Sequence, residues 1–278
     1  MKILVTGANG YIGAKVVKRL CELNNEVIAV DISDENIDKR AKFISKNIFL
    51  DNDNMFKFFD EPDICLHLAW RDGFKHNSVL HMEDLSYHFK FIRNLIDNGL
   101  KHIAIMGTMH EIGYFEGAID EDTQCNPTTQ YGISKNALRS SIQNYLKDKD
   151  VVFQWLRAFY IFGNDEYGNS IFCKIRQAVK NNQKLFPFTS GKNKYDFIHI
   201  DELANQISLA ISQKKVNGII NCCSGEPISL SEQVQSYIDN NNLPIKLDYG
   251  KFPDRPYDSP CIYGDNSKIL LILEESKK

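Results

Sequence analysis

Residues 2–13 read KILVTGANGYIG: an apolar strand, then Gly7, Gly10 and Gly13, then the start of a helical period in AKVVKRLCEL. Glycine at such a turn lets the backbone approach a pyrophosphate, and the helix that follows supplies unpaired N–H groups and partial positive charge. A tight strand–helix turn can carry glycines for no other reason than its shape, so the context has to decide. The context fits dinucleotide binding: EVIAVD (26–31) reads as a second strand and ends in Asp31, where a carboxylate would accept the adenosine ribose hydroxyls.

Working outward, short apolar runs alternate with helical segments through the first half: NIFL, DICLHLA, HFKFIRNLIDNG and HIAIM. This alternation predicts βαβ units and a parallel sheet. NIFL reads as a third strand ending at Asp51, placed to reach an adenine amino group. His67-Leu68-Ala69-Trp70 ends the fourth, with Ala69 small enough for a cofactor to pass. Asn98-Gly99 closes a helix. A further helix follows Pro127 through YGISKNALRSSIQNYLK, and VVFQWLRAF returns to the sheet. The fold class is α/β, a Rossmann-type doubly wound parallel sheet over residues 1–160, with a smaller substrate-binding lobe mainly in 161–278 and a chain free to cross back.

The composition narrows the function. Lys plus Arg number 33 against 36 acidic residues, scattered along the chain, so no nucleic-acid footprint is expected. The apolar stretches are too short to span a membrane, and Met1 runs directly into a strand without a leader, which predicts a soluble, cytoplasmic chain. Seven cysteines, with no CxxC pair, read as buried small hydrophobes, and no metal is expected.

Tyr131 and Lys135 in YGISK lie four apart, on one face of their helix. A cation beside a phenol favours phenolate, so Tyr131 could exchange a proton with a sugar oxygen. Thr108, leaving the HIAIM strand, would hold the same oxygen. NAD(H) is favoured over NADP(H), because ISDEN after Asp31 supplies no arginine, although Lys39 and Arg40 could loop back.

With TGANGYIG, Asp31, HLAW, the Thr108 strand, YGISK, LRAFYIFG, YDFIHIDELA, NCCSGEPISL and RPYDSPCIYGDNSK in this order, nearly the whole chain resembles the extended short-chain dehydrogenase/reductase family. The likeness lies within its nucleotide-sugar epimerase, dehydratase and reductase branch. The resemblance implies a triad of Thr108, Tyr131 and Lys135, with Lys135 also gripping the nicotinamide ribose. It implies a cofactor lined by Gly7, Gly10, Tyr11, Ile12, Gly13, Asp31, Ile32, Asp51, Asn52, Leu68, Ala69, Trp70, Tyr131, Lys135 and Phe159. For the substrate it implies Thr108, His110, Tyr160, Asn169 and Arg255, the last on the diphosphate.

Departures inside that family select the reaction. The 4,6-dehydratases carry Asp-Glu after the threonine, whereas this chain has Met109 and His110. Double epimerisation of the GDP-fucose synthase kind would need a histidine where Ile171 stands. What remains is 4-epimerisation by oxidation and re-reduction or plain reduction of a 4-keto sugar, with GTMHEIG looking closer to the reductases that make CDP-abequose, CDP-paratose or dTDP-fucose than to UDP-galactose 4-epimerase, and a similarly short C-terminal end. Tyr160 and Tyr195 replace a common asparagine and arginine. Glu111 reads as structural, and His110 more as pocket wall than proton donor. A 4-epimerase and a non-catalytic dinucleotide sensor are the other readings, and the family suggests a homodimer formed through the Tyr131 helix and the helix before it.

Overall fold

The computed structural model describes residues 1–50, 54–163, 170–254 and 258–277. Seven parallel strands form the main sheet, in the spatial order Gly218–Cys222, Val152–Ala158, His102–Thr108, Ile64–His67, Lys2–Thr6, Glu26–Asp31, Lys42–Ser45. Counted along the chain, the strands run outward one way from the first and the other way from the fourth. The order therefore reverses between Lys2–Thr6 and Ile64–His67, and a ligand crevice opens there beyond the strand C-termini.

Apolar residues fill both faces, as a parallel sheet requires. On one, Val16, Val17 and Leu20 of the Tyr11–Glu22 helix meet Leu203, Ile207 and Ile211 of the Ile200–Ile211 helix. On the other, Phe91, Ile92 and Leu95 of Leu85–Asp97 meet Leu138 and Ile142 of Gln130–Tyr145. All seven cysteines are free, and Cys21, Cys65, Cys173, Cys222 and Cys223 are buried. No helix among the described residues is long and apolar enough to cross a membrane.

A smaller sheet joins Pro227–Ser229, Lys194–His199, Cys261–Gly264 and Gly117–Ile119, with Tyr160–Phe162 also paired to Lys194–His199. The chain crosses between the sheets on both sides of residue 160: Gly117–Ile119 lies in the small one, and Gly218–Cys222 completes the large one. One expectation is corrected. The third strand is Lys42–Ser45, not NIFL. Asn47 Oδ1 accepts the Phe49 N–H (3.0 Å) and its carbonyl accepts the Leu50 N–H (3.3 Å), so this polar residue bends NIFL into a turn.

Candidate active site

The glycine turn sits at the crevice. Gly7 has φ +69° and packs so closely on the next strand's end that a Cβ there would lie 2.6 Å from Ala69 N. A Cβ on Gly13 would lie 2.0 Å from Gly7 O, so the helix can begin this close to the turn only with glycine. The helix starts at Tyr11, after Gly10, with no side-chain cap and no acidic residue in its first turn. Uncapped N–H groups at a glycine-lined turn are a cradle for a diphosphate.

Asp31 ends the second strand beside this turn and accepts the Asn9 N–H (2.9 Å) and the Ile32 N–H (2.8 Å). Asn9 also accepts the Asn36 N–H (2.7 Å) and donates to Ser33 (2.7 Å), which staples the loop after Asp31 to the glycine turn. Ile32 is 77% exposed next to the carboxylate. Arg40 is engaged through both Nε and Nη2 with Asp38, at 2.9 and 2.7 Å. These residues fit a nicotinamide dinucleotide with an unmodified adenosine ribose. Leu68 and Ala69 line the switch point, while the predicted Asp51 and Asn52, like Asn169 and Arg255, lie outside the described residues.

The second half of the site begins at Gly107. A Cβ there would lie 2.1 Å from Trp155 Nε1. That space lets the indole donate to both Glu111 oxygens, at 2.9 and 3.0 Å. Glu111 is fully buried, accepts the Thr108 N–H at 2.8 Å, and lies 3.7 Å from Arg157 and 3.5 Å from Arg139. Thr108 in turn accepts the His110 N–H (3.3 Å), closing a capping box over the short turn Met109–Glu111. Glu111 thus anchors the backbone at Thr108, at the start of the turn.

The Gln130–Tyr145 helix approaches this turn across Gly132, where a Cβ would lie 2.3 Å from His110 O. Tyr131 and Lys135 consequently meet Thr108. The Tyr131 phenol lies beside the Thr108 hydroxyl, and Lys135 Nζ donates to Met106 O (2.7 Å) while sitting 3.8 Å from the Trp70 ring centroid and 5.9 Å from that of Tyr131. Burial pushes the phenol up, with the nearby Thr108 hydroxyl pulling the other way. Without the nicotinamide ring that would add to the charge of Lys135, desolvation is the largest influence on this phenol. Burial also brings Lys135 down to about 7, opposed by Glu111.

Trp70 packs rather than standing free. Its ring stacks on His88 (4.4 Å, 12°) and its N–H donates to His81 Nδ1 (2.9 Å). His88 bonds His67, which bonds Thr6, at 2.9 and 2.8 Å. Burial lowers His67 to about 3, so it is neutral. Tyr160 packs against Tyr195 (4.5 Å, tilted by 39°) and approaches His110 (6.4 Å), whereas the Phe159 side chain is buried with Met109, Ile112 and Ile262 where the sheets meet. The residues not foreseen are His76, His81, His88, Trp155, Arg139 and Arg157. The histidines carried one signal, their concentration at 67, 76, 81 and 88 around one strand end.

A doubly wound sheet with a glycine cradle at its switch point and Thr108, Tyr131 and Lys135 gathered beside it defines an NAD(P)-dependent oxidoreductase of the short-chain dehydrogenase/reductase class. The chain belongs to the NAD dependent epimerase/dehydratase family, whose model matches residues 3–223. It is 41% identical over 269 residues to dTDP-6-deoxy-L-talose 4-dehydrogenase (NAD(+)) of Aggregatibacter actinomycetemcomitans, covering 95% of this chain and 99% of that protein. GDP-6-deoxy-D-talose 4-dehydrogenase of the same organism is 22% identical over 278 residues, covering 98% and 91%. Among solved structures, UDP-N-acetylglucosamine 4-epimerase from Methanobrevibacter ruminantium has the same fold, with a TM-score of 0.84 at 21% identity over 98% of this chain and 91% of that one.

Proposed function

We propose that the protein interconverts the C4 hydroxyl and C4 keto forms of a nucleotide-activated 6-deoxyhexose with NAD(H), working as a 4-ketoreductase that supplies surface-polysaccharide synthesis. The observation that carries this is the convergence of Thr108, Tyr131 and Lys135 beside the glycine cradle, in a chain matched end to end by a dTDP-6-deoxy-L-talose 4-dehydrogenase. Asp31 and the pairing of Arg40 with Asp38 support NAD(H) over NADP(H). We place the reaction in the cytoplasm and in a homodimer formed through the Leu85–Asp97 and Gln130–Tyr145 helices.

The nicotinamide, when bound, supplies the two-electron redox step at C4. Gly7, Gly10, Tyr11, Ile12 and Gly13 would hold the diphosphate through the helix start, and Asp31 would take the ribose hydroxyls. Thr108 holds the sugar O4 and Tyr131 moves its proton. A phenol pushed up by burial rests protonated, the form that donates to O4 as the keto group is reduced. Lys135, one turn along the same helix, would grip the nicotinamide ribose. Met109 and His110 leave the position after Thr108 without the acid pair that dehydration requires.

Purified protein incubated with dTDP-, GDP- and CDP-4-keto-6-deoxyhexoses plus NADH or NADPH is expected to consume NADH stoichiometrically with the dTDP sugar. No consumption with any sugar, but interconversion of a non-keto nucleotide sugar without added cofactor, would replace this reading with a 4-epimerase.

A further inference from the structure

The seven histidines divide by what their rings touch. His67, His81, His88, His102 and His199 each hydrogen-bond another part of the protein through a ring nitrogen. The ring nitrogens of His76 and His110 hydrogen-bond no described residue. These two rings lie together, 4.4 Å apart, at the Tyr131 phenol.

His76 is held there by its backbone. Its carbonyl accepts the Tyr131 N–H at 2.9 Å, and the neighbouring Asn77 side chain accepts the Gln130 N–H at 3.4 Å, so the segment after the fourth strand caps the helix that carries the triad. The His76 ring then lies parallel to the Tyr131 ring, 5.4 Å away at 14°. His110 comes from the turn after the Thr108 strand, 6.1 Å from the Tyr131 ring, fixed by the Thr108–Glu111 capping box. Burial lowers both imidazoles, His110 to about 3, so each is neutral and carries one N–H donor and one lone pair. Partly buried polar rings with no hydrogen-bond partner among the described residues are matched to a polar ligand.

We propose that His76 is a specificity-determining residue, which with His110 forms a two-imidazole bay for the sugar hydroxyl vicinal to the reacting carbon. Thr108 and Tyr131 hold the oxygen at C4. The bay beside them takes the neighbouring hydroxyl at C3, one imidazole donating and the other accepting. Naming a hexose hydroxyl rests on the proposed function; the exposure of the pair to a ligand does not.

The test has two arms. In the first, diethyl pyrocarbonate modification is mapped by mass spectrometry on the wild-type protein. His76 and His110 are expected to react faster than His67, His81, His88 and His102; equal or slower reaction overturns the inference whatever the substrate. In the second, His76→Phe keeps the stacking on Tyr131 and removes both ring nitrogens. With the nucleotide sugar that the wild type turns over, its KM should rise about tenfold with kcat much less changed, as loss of one buried hydrogen bond gives. NAD+ affinity should hold, and the variant should lose the wild-type preference for that sugar over its 3-deoxy analogue. A retained preference overturns the assignment to the C3 hydroxyl. If the wild type turns over no nucleotide sugar, the proposed function falls and the modification arm alone decides the bay.

Discussion

The glycine cradle and the Tyr131 wall lie at one crevice but are built by opposite means. The cradle is almost all backbone: N–H groups at a helix start, three glycines set by close approach, and one carboxylate at a strand end. The wall is almost all side chains, drawn from four separated segments and held by stacking, a buried carboxylate and a run of neutral histidines. A cradle made from contiguous backbone can be read from a short string. A wall made by convergence cannot, because no spacing along the chain encodes which distant rings will meet.

Breaking the wall at its reactive end should have the largest effect. Tyr131→Phe removes the proton-transferring oxygen and keeps the ring between His76 and Trp70, so turnover should fall by about 10²–10⁴-fold. NAD+ binding by calorimetry should persist, since the cradle is untouched. Residual turnover near the wild-type level would remove Tyr131 from its role.

Breaking the wall's support should cost stability as well as activity. Glu111→Gln removes the charge facing Arg139 and Arg157 and disturbs the acceptor of the Thr108 N–H. Loss of one partner from a buried ion pair destabilises by about 3–5 kcal/mol. Chemical denaturation should show a lower midpoint, and Asp31→Asn, made at the cradle, should show little change beside it.

The smallest effect sharpens the comparison electrostatically. Burial lowers Lys135 to about 7 in the folded protein from the ordinary 10.5, so between those values the unfolded chain binds more protons than the folded one. Stability should therefore rise with pH through that window, and the contribution is fully unfavourable below it. In Lys135→Met this slope should flatten, as followed by thermal unfolding of cofactor-free protein at a series of pH values. A wild-type slope retained in the variant would place the titration elsewhere.

How much was legible follows the same division. TGANGYIG, Asp31 and YGISK each announce themselves locally, and Thr108 lies beside Tyr131 in the fold. Gly107 was visible but not its reason, because the indole it admits, Trp155, comes from the adjacent strand. Glu111 looked structural, yet Arg139 and Arg157 could not be joined to it without the sheet. The third strand was misplaced because KFIS and NIFL are apolar runs of equal promise, and only the Asn47 turn separates them. The burial that raises the Tyr131 phenol was not legible either, because it comes from rings of distant segments that no spacing encodes.

The central claim is that this crevice carries redox chemistry at C4 with Tyr131 handling the proton. The most direct measurement is reduction of dTDP-4-keto-6-deoxyhexose with NADH deuterated at the nicotinamide C4, with the product examined by NMR. Deuterium at the sugar C4, in one configuration and in equal amount to the cofactor oxidised, is the predicted result. A product without deuterium at C4, or none formed from any 4-keto sugar, would contradict the account.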